Sequence, residues 1–245
     1  NIGYQFQELA YFTNTRKATQ YLCEKYQVLF TNSSPISTST FQNIYPVQLE
    51  NISLEKEGQV LLSPLSMHIK KGEKIAIIGE SGSGKTTLLN IIHGELAATS
   101  GRIAFAGQSL SRQEITSVSS YILQDSHYFD TLSLEDNILL GMTKKQERLN
   151  HILKTTGLEH LKNRTLSNDS LSGGEKQRLE IARALYHDSQ LILADEIKAN
   201  LDLENSKKIS DLLFSLPQTV IEVIHHYTDE DLKRYDQVIH LSKEK

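Results

Sequence analysis

The sequence is poor in three features, and each shortage excludes a class of protein. Only one cysteine (Cys23) occurs in 245 residues, which excludes an internal disulfide framework and favours a reducing compartment. Lys and Arg total 26 against 30 Asp and Glu, so there is no basic excess to hold a nucleic-acid backbone. No apolar run approaches the roughly 20 residues that a transmembrane helix needs.

The overall composition is typical of a globular protein. Hydrophobic residues make up 38% and charged residues 23% of the chain, which is long enough for one large domain or two small ones. The sequence begins at Asn1 without a methionine or a signal peptide, so we expect it to be a fragment of a longer protein.

The N-terminal part differs in composition from the rest. Apolar side chains spaced by three or four predict an amphipathic helix within residues 1–30. Residues 31–40 are nearly all Ser, Thr, Asn and Pro, so we predict a flexible linker over 31–46. The compact domain is then expected to occupy 47–245.

Within that domain the pattern predicts an α/β fold. Strands are expected first, and short apolar runs then alternate with helical patterns, which is typical of a largely parallel sheet. The predicted strands are 47–54, 60–69, 74–78, 120–123, 191–194 and 219–224, and the predicted helices are 85–93, 133–140, 145–156 and 175–187.

A phosphate-binding loop stands between a predicted strand and a predicted helix. It comprises Gly79, Glu80, Ser81, Gly82, Ser83, Gly84, Lys85 and Thr86, followed by Thr87. Its glycines allow successive backbone N–H groups to point at one phosphate beside a helix N-terminus. We expect Lys85 to reach the β- and γ-phosphates and Thr86 to ligate Mg²⁺. The alternative, a Gly-Ser turn that caps a helix, explains less of this pattern.

An acidic pair follows the buried strand LILA. A carboxylate at Asp195 can hold Mg²⁺, and one at Glu196 can polarise an attacking water. Taken alone, the pair could equally be a solvated strand end, but the phosphate loop upstream favours the active interpretation.

The segment LSGGE precedes another good helix pattern. Ser172 and Glu175 have the spacing of a capping box, which is the structural explanation. Capping does not explain Gly173 and Gly174, whose bare N–H groups at a helix N-terminus predict a second anion site.

The order of these motifs carries a family resemblance. GESGSGKT, a lone Gln124 after YIL, LSGGEKQR, LILADE and His225 after TVIEVI together resemble the ATP-binding domain of an ABC transporter over residues 47–241. The resemblance implies an antiparallel β subdomain near the N-terminus and a helical subdomain, about 125–180, that carries LSGGE.

It also implies ATP and Mg²⁺ as cofactors and roles for particular residues. Catalysis would involve Lys85, Glu196 as the base and His225 at the γ-phosphate, and Thr86, Gln124 and Asp195 would hold the metal. Two domains would pair head to tail, each binding ATP between its own phosphate loop and the partner's Ser172, Gly173, Gly174 and Glu175. Asn200, Leu201 and Asp202 would form the loop at the dimer interface.

The resemblance implies a membrane partner as well. Residues 1–46 are similar to the connection between membrane and ATPase domains in one-chain exporters, which would place a homodimer on the cytoplasmic face of the membrane. The alternative for this segment is the N-terminal helix of a separate subunit. The alternative function is a soluble ATPase that acts on nucleic acid or ribosomes, and a regulatory module that binds ATP but barely hydrolyses it is a third.

Two positions depart from the family pattern. Lys56 stands where an aromatic residue usually stacks on adenine, and Tyr45 is the nearest upstream aromatic residue. We therefore expect phosphate contacts to supply most of the affinity. Lys198 replaces a small or hydroxyl residue, and we expect this bulky side chain to alter closure of the dimer.

Overall fold

The structure, a computed structural model, describes residues 43–167 and 170–243. The predicted N-terminal helix and most of the predicted linker lie outside these residues. The described chain forms two compact units, which we call the sheet unit (43–127 and 188–243) and the helical unit (128–167 and 170–187).

The elements follow the predicted alternation of strands and helices. The strands are β1 (Val47–Lys56), β2 (Gln59–Ile69), β3 (Lys74–Gly79), β4 (Ser100–Phe105), β5 (Ser119–Ile122), β6 (Leu191–Asp195), β7 (Thr219–Val223) and β8 (Gln237–Leu241). The helices are α1 (Lys85–Ile92), α2 (Arg112–Val118), α3 (Leu134–Leu139), α4 (Gln146–Thr156), α5 (Gly173–Tyr186), α6 (Leu203–Ser215) and α7 (Asp229–Leu232), with a 3₁₀ turn at Glu159–Leu161.

The sheet unit contains two sheets. Three antiparallel strands in the order β2-β1-β4 form the β subdomain that the resemblance implied. Five parallel strands form the second sheet in the order β5-β6-β7-β3-β8. Because the strands of the second sheet are parallel, their carboxyl ends meet at one edge, where ligands of open α/β sheets bind. The predicted α/β fold is confirmed.

The core of the sheet unit is built from aliphatic side chains of both sheets and of α1. Leu88, Leu89 and Ile92 on α1 are fully buried at helical spacing. Ile44 and Tyr45 belong to the same core, and the Tyr45 hydroxyl donates to the Gln190 carbonyl at 2.7 Å. The predicted linker is therefore too long at its C-terminal end, because an apolar pair precedes Pro46 and is buried.

The helical unit has its own apolar core, which α3, α4 and α5 supply mainly with leucines. A buried polar contact joins two of these helices. The Arg183 guanidinium on α5 donates to the backbone carbonyl of Asn137 at 2.8 Å and to its Oδ1 at 3.0 Å. Because this charge is also paired with Glu180 at 2.7 Å, its burial is compensated.

The elements of the sheet unit without a counterpart among the predicted ones include β4, α2, α6 and α7. The first two are short, and α2 begins with a capping box in which Ser111 and Glu114 bond each other's backbone N–H groups. Within residues 43–167 and 170–243, no helix combines the length and the apolar character that crossing a membrane requires.

Candidate nucleotide site

The phosphate loop connects β3 to α1, as predicted. Gly82 and Gly84 both have positive φ values, 77° and 92°, which favour glycine. A Cβ atom at Gly84 would lie 2.5 Å from the Leu61 carbonyl oxygen. The loop therefore requires glycine at this position for its conformation and for its close approach to β2.

Lys85 is turned into the loop. Its side chain is buried, and Nζ donates to the carbonyl oxygens of Gly79 at 2.9 Å and Glu80 at 2.8 Å. The Ser83 hydroxyl is buried and has no hydrogen-bond partner among the described residues. The ammonium group of Lys85, which backbone carbonyls orient, and the unsatisfied hydroxyl of Ser83 lie on one loop. Together they fit an anion with several oxygen atoms, such as a phosphate.

Asp195 ends β6 and is buried next to the first residues of α1. Burial raises the pKa of its carboxyl, and hydrogen bonds from the side chains of Thr86 and Tyr121 oppose that rise. The Tyr121 hydroxyl donates to Oδ2 at 3.1 Å. Oδ1 is buried without a hydrogen-bond partner among the described residues. An unsatisfied carboxylate oxygen near a threonine hydroxyl fits Mg²⁺, which prefers oxygen ligands.

Glu196 and His225 meet at the same edge. Glu196 Oε1 lies 2.7 Å from His225 Nε2, and both side chains are partly exposed. The Glu196 backbone has a φ of 53°, and its N–H donates to the Val223 carbonyl at 3.2 Å. The left-handed backbone turns the chain out of β6, while this bond ties it to β7. His225, rather than its neighbour His226, is the histidine that the structure places against Glu196.

The remaining predicted residues of the sheet unit lie in exposed turns. Gln124 is exposed in the bend that follows β5, which is the neighbour of β6 in the sheet. Asn200 is exposed, and Asp202 caps α6 by accepting from the Asn205 N–H at 2.9 Å. Leu203, the first residue of that helix, is 91% exposed.

The LSGGE residues lie at the start of α5 in the helical unit. Ser172 and Glu175 form the capping box: Glu175 Oε2 accepts from the Ser172 N–H at 2.8 Å and from its hydroxyl at 2.7 Å. Burial alone would raise the pKa of Glu175, but bonds from Ser172 and His160 lower it overall. Capping thus accounts for these two side chains, and the N–H groups of Gly173 and Gly174 remain the feature that it does not explain.

Sequence reasoning missed three side chains around the site. Tyr121 holds the Asp195 carboxylate, and Glu222 and Tyr235 contact each other beneath the Glu196 loop. The Lys198 side chain folds back and pairs with Glu222, and its effect on closure of the dimer stays a prediction. One signal was available: Glu222 is the only charged residue of the apolar run TVIEVI.

Neither residue considered for adenine offers a ring to the base. Tyr45 is buried in the core of the sheet unit and hydrogen-bonded through its hydroxyl. Lys56 is exposed where β1 ends. The phosphate loop is therefore the best-defined part of the site.

Comparisons with known proteins agree with this geometry. A family model described as ABC transporter matches residues 62–199, more than half of the chain. The spermidine/putrescine import ATP-binding protein PotA of Mycoplasma mycoides is 35% identical over 79% of this chain and 58% of its own length. The lactococcin-A transport/processing ATP-binding protein LcnC of Lactococcus lactis is 35% identical over 69% of this chain and 25% of its own length.

The fold is also shared with a solved structure. CbiO1 of Clostridium perfringens, described as part of the ABC transporter complex cbiONQ, has a TM-score of 0.73 and 28% identity. The match covers 82% of this chain and 85% of that chain. The chain belongs to the ABC transporter family and is an ATP-binding domain with that family's ATPase function and its use of ATP and Mg²⁺.

Proposed function

We propose that this chain is the motor of a membrane transporter and that Glu196 is the base for ATP hydrolysis. One observation supports this most strongly: the carboxyl ends of β3, β6 and β7 bring the phosphate loop, Asp195 and the Glu196–His225 pair to one sheet edge. Phosphoryl transfer depends mainly on positioning and on charge stabilisation, and these groups supply both.

The phosphate loop binds and orients the triphosphate in this proposal. Lys85 exchanges its bonds to the Gly79 and Glu80 carbonyls for phosphate oxygens, and Ser83 gains an acceptor for its hydroxyl. Thr86, Asp195 and Gln124 hold Mg²⁺, which when bound neutralises charge on the β- and γ-phosphates. The unsatisfied Oδ1 of Asp195 supports its place in this set.

Glu196 takes the proton of the attacking water. Its carboxylate is partly exposed, so a water molecule can reach it, and its contact with His225 fixes its orientation. His225 is two residues beyond the end of β7 and contacts the γ-phosphate from the same edge. A base within hydrogen-bond reach of the nucleophile contributes roughly 10²- to 10⁴-fold to the rate.

Two copies pair head to tail in this proposal. Each ATP lies between the phosphate loop of one copy and Ser172, Gly173, Gly174 and Glu175 of the other, because a helix N-terminus attracts the γ-phosphate. Asn200, Leu201 and Asp202 lie at the interface.

Hydrolysis is tested by phosphate release from the purified chain with Mg-ATP. Glu196→Gln keeps the size of the side chain and removes the base, so we expect kcat to fall by roughly 10²-fold or more while ATP binding persists. Glu204→Gln on α6 is the matched control, because that carboxylate is exposed and pairs with Lys208 at 2.6 Å. Equal rates for the wild-type and Glu196→Gln chains would exclude Glu196 as the base.

We further propose that the transporter is an exporter whose membrane domain belongs to the same chain. The amphipathic pattern of residues 1–30 supports this, as does the likeness to LcnC, a transport/processing protein of which three quarters lie outside the match. PotA, named for import, supports the opposite direction. Sequencing the coding region upstream of Asn1 decides: about six apolar spans of roughly 20 residues would support the fused exporter, and a start codon directly upstream would overturn it.

A further inference from the structure

An ion pair with one fully buried partner connects the loop that carries Glu196 to β7. Lys198 Nζ is 2.9 Å from Glu222 Oε1, and the Glu222 side chain is 1% exposed. The other carboxylate oxygen of Glu222 accepts a hydrogen bond from the Tyr235 hydroxyl at 2.5 Å. Glu222 belongs to β7, which lies between β6 and β3 in the sheet, so water does not reach it there.

This pair joins the two segments that carry the proposed catalytic groups. Lys198 is two residues after Glu196 in the loop that leaves β6, and Glu222 is three residues before His225. Between these segments the Glu196 N–H donates to the Val223 carbonyl. The ion pair therefore adds a second connection between loop and strand, next to the one that the backbone makes.

The side of Glu222 away from Lys198 is also fixed. Tyr235 packs edge to face against Phe214, with ring centroids 4.9 Å apart. Burial raises the pKa of the Tyr235 hydroxyl, which stays protonated and continues to donate to Glu222. The carboxylate thus accepts a hydrogen bond at Oε2, while Oε1 has the charge contact with Lys198 but no aligned hydrogen bond among the described residues.

The ion pair is an unusual way to stabilise a sheet. Removing two charges from water is costly, and replacing a buried pair by apolar residues of similar volume is often neutral or stabilising. The other side chains of β7 are uncharged, so Glu222 is the one charged residue of this buried strand. Unlike an apolar contact, an ion pair is favourable only when the two charged groups keep one relative position, so it fixes the geometry of the segments that it joins.

We propose that Lys198 and Glu222 are positioning residues that hold the Glu196 loop in the orientation in which its carboxylate meets His225. The inference rests on the proposed hydrolysis and adds residues that act through Glu196 rather than on ATP. A displacement of about 1 Å at a reacting group can cost roughly 10²-fold in rate. The Lys198–Glu222 ion pair is therefore expected to affect kcat more than it affects the binding of ATP.

The test separates positioning from folding by removing both charges together. Lys198→Met alone leaves the buried Glu222 carboxylate without its cation, so it lowers Tm strongly. The double variant Lys198→Met/Glu222→Leu has no unpaired charge but leaves the Tyr235 hydroxyl without its acceptor, so it is expected to recover part of that Tm. Its kcat for ATP is expected to stay about tenfold or more below wild type, with KM unchanged. If kcat recovers together with Tm, the pair is structural only and the proposal is wrong.

Two further variants keep this test informative. Lys208→Met/Glu204→Leu removes an exposed ion pair from α6 and should change neither Tm nor kcat. Lys198→Arg retains the charge but not the shape, so it should fold even if the apolar double variant does not. We expect Lys198→Arg to lower kcat severalfold at nearly wild-type Tm, and an unchanged kcat would contradict the proposal.

A measurement without turnover distinguishes this inference from the proposed hydrolysis. In the chain labelled with ¹⁵N-histidine, the His225 ring signals report its contact with Glu196 and are assigned from a His225→Gln chain. The double variant should shift these signals toward those of Glu196→Gln, whatever the rate of hydrolysis. Signals identical to wild type would overturn the positioning role. A wild-type rate no higher than that of Glu196→Gln would count against the proposed base alone.

Discussion

The Tyr121 hydroxyl donates to the Asp195 carboxylate at 3.1 Å, from the strand next to the one that Asp195 ends. This bond leaves the other carboxylate oxygen unsatisfied in a buried position. The carboxylate is thus oriented by the protein on one side and available to a cation on the other. Such outer contacts fix the geometry of a metal ligand.

Removing this hydroxyl should weaken the response to Mg²⁺. In a Tyr121→Phe chain we expect the Mg²⁺ concentration for half-maximal ATP hydrolysis to rise about tenfold, since loss of an outer-shell partner costs roughly 10- to 100-fold in metal affinity. The Mg²⁺ dependence of phosphate release measures this. Tyr45→Phe, which removes a hydroxyl bonded to Gln190, is the control. The same Mg²⁺ dependence in both variants would show that Tyr121 does not orient Asp195.

The phosphate loop should not tolerate a side chain at Gly84. Gly84→Ala combines a left-handed backbone with a Cβ atom 2.5 Å from the Leu61 carbonyl oxygen. The backbone strain alone costs about 1–2 kcal/mol. Gly107→Ala has a similar φ of 80° but nothing within 4 Å of its Cβ, so it isolates the strain. We expect urea unfolding to show that Gly84→Ala loses more free energy of unfolding than Gly107→Ala. Equal losses in the two variants would mean that the close contact at Gly84 is relieved easily.

His93 should make the sheet unit less stable in acid. It is fully buried, and burial lowers the pKa of its ring to about 4. Ser119 Oγ already donates to the Ile115 carbonyl at 2.7 Å, so His93 Nδ1 is the donor in its 3.0 Å contact with Ser119.

The direction of this change in stability with pH follows from whether the folded or the unfolded chain binds the proton first. As the pH falls, the unfolded chain protonates this histidine near its ordinary pKa of about 6.5, before the folded chain does, so the contribution is complete above that pH and is lost toward pH 4. We expect about 2 kcal/mol less stabilisation from His93 near pH 5 than near pH 7.5. Urea unfolding of wild type and His93→Asn at both values measures this. An equal pH dependence in the two chains would contradict it.

Much of the sheet unit could be predicted because its elements carry strong local signals. The run LILA predicted β6, and the phosphate loop followed β3 as its glycines required. The capping pattern at Ser172 also formed as its spacing indicated. These features depend on neighbouring residues, and a sequence displays neighbours directly.

The contacts across strands could not be predicted in the same way. Lys198 and Glu222 pair because β6 and β7 are adjacent in the sheet, and this adjacency is not visible from residues that lie far apart in the chain. The same holds for Tyr121 and Asp195, which depend on the pairing of β5 with β6. Glu222 within an apolar run was a signal that a partner must exist, although it did not identify the partner.

The mass in solution of Glu196→Gln, measured by light scattering with and without Mg-ATP, tests the proposed mechanism most directly. Removal of the base should trap ATP between the phosphate loop and the LSGGE residues of two chains. We predict a shift from one chain to two with Mg-ATP and no shift with Mg-ADP, which lacks the γ-phosphate. A mass of one chain at saturating Mg-ATP would contradict the shared site.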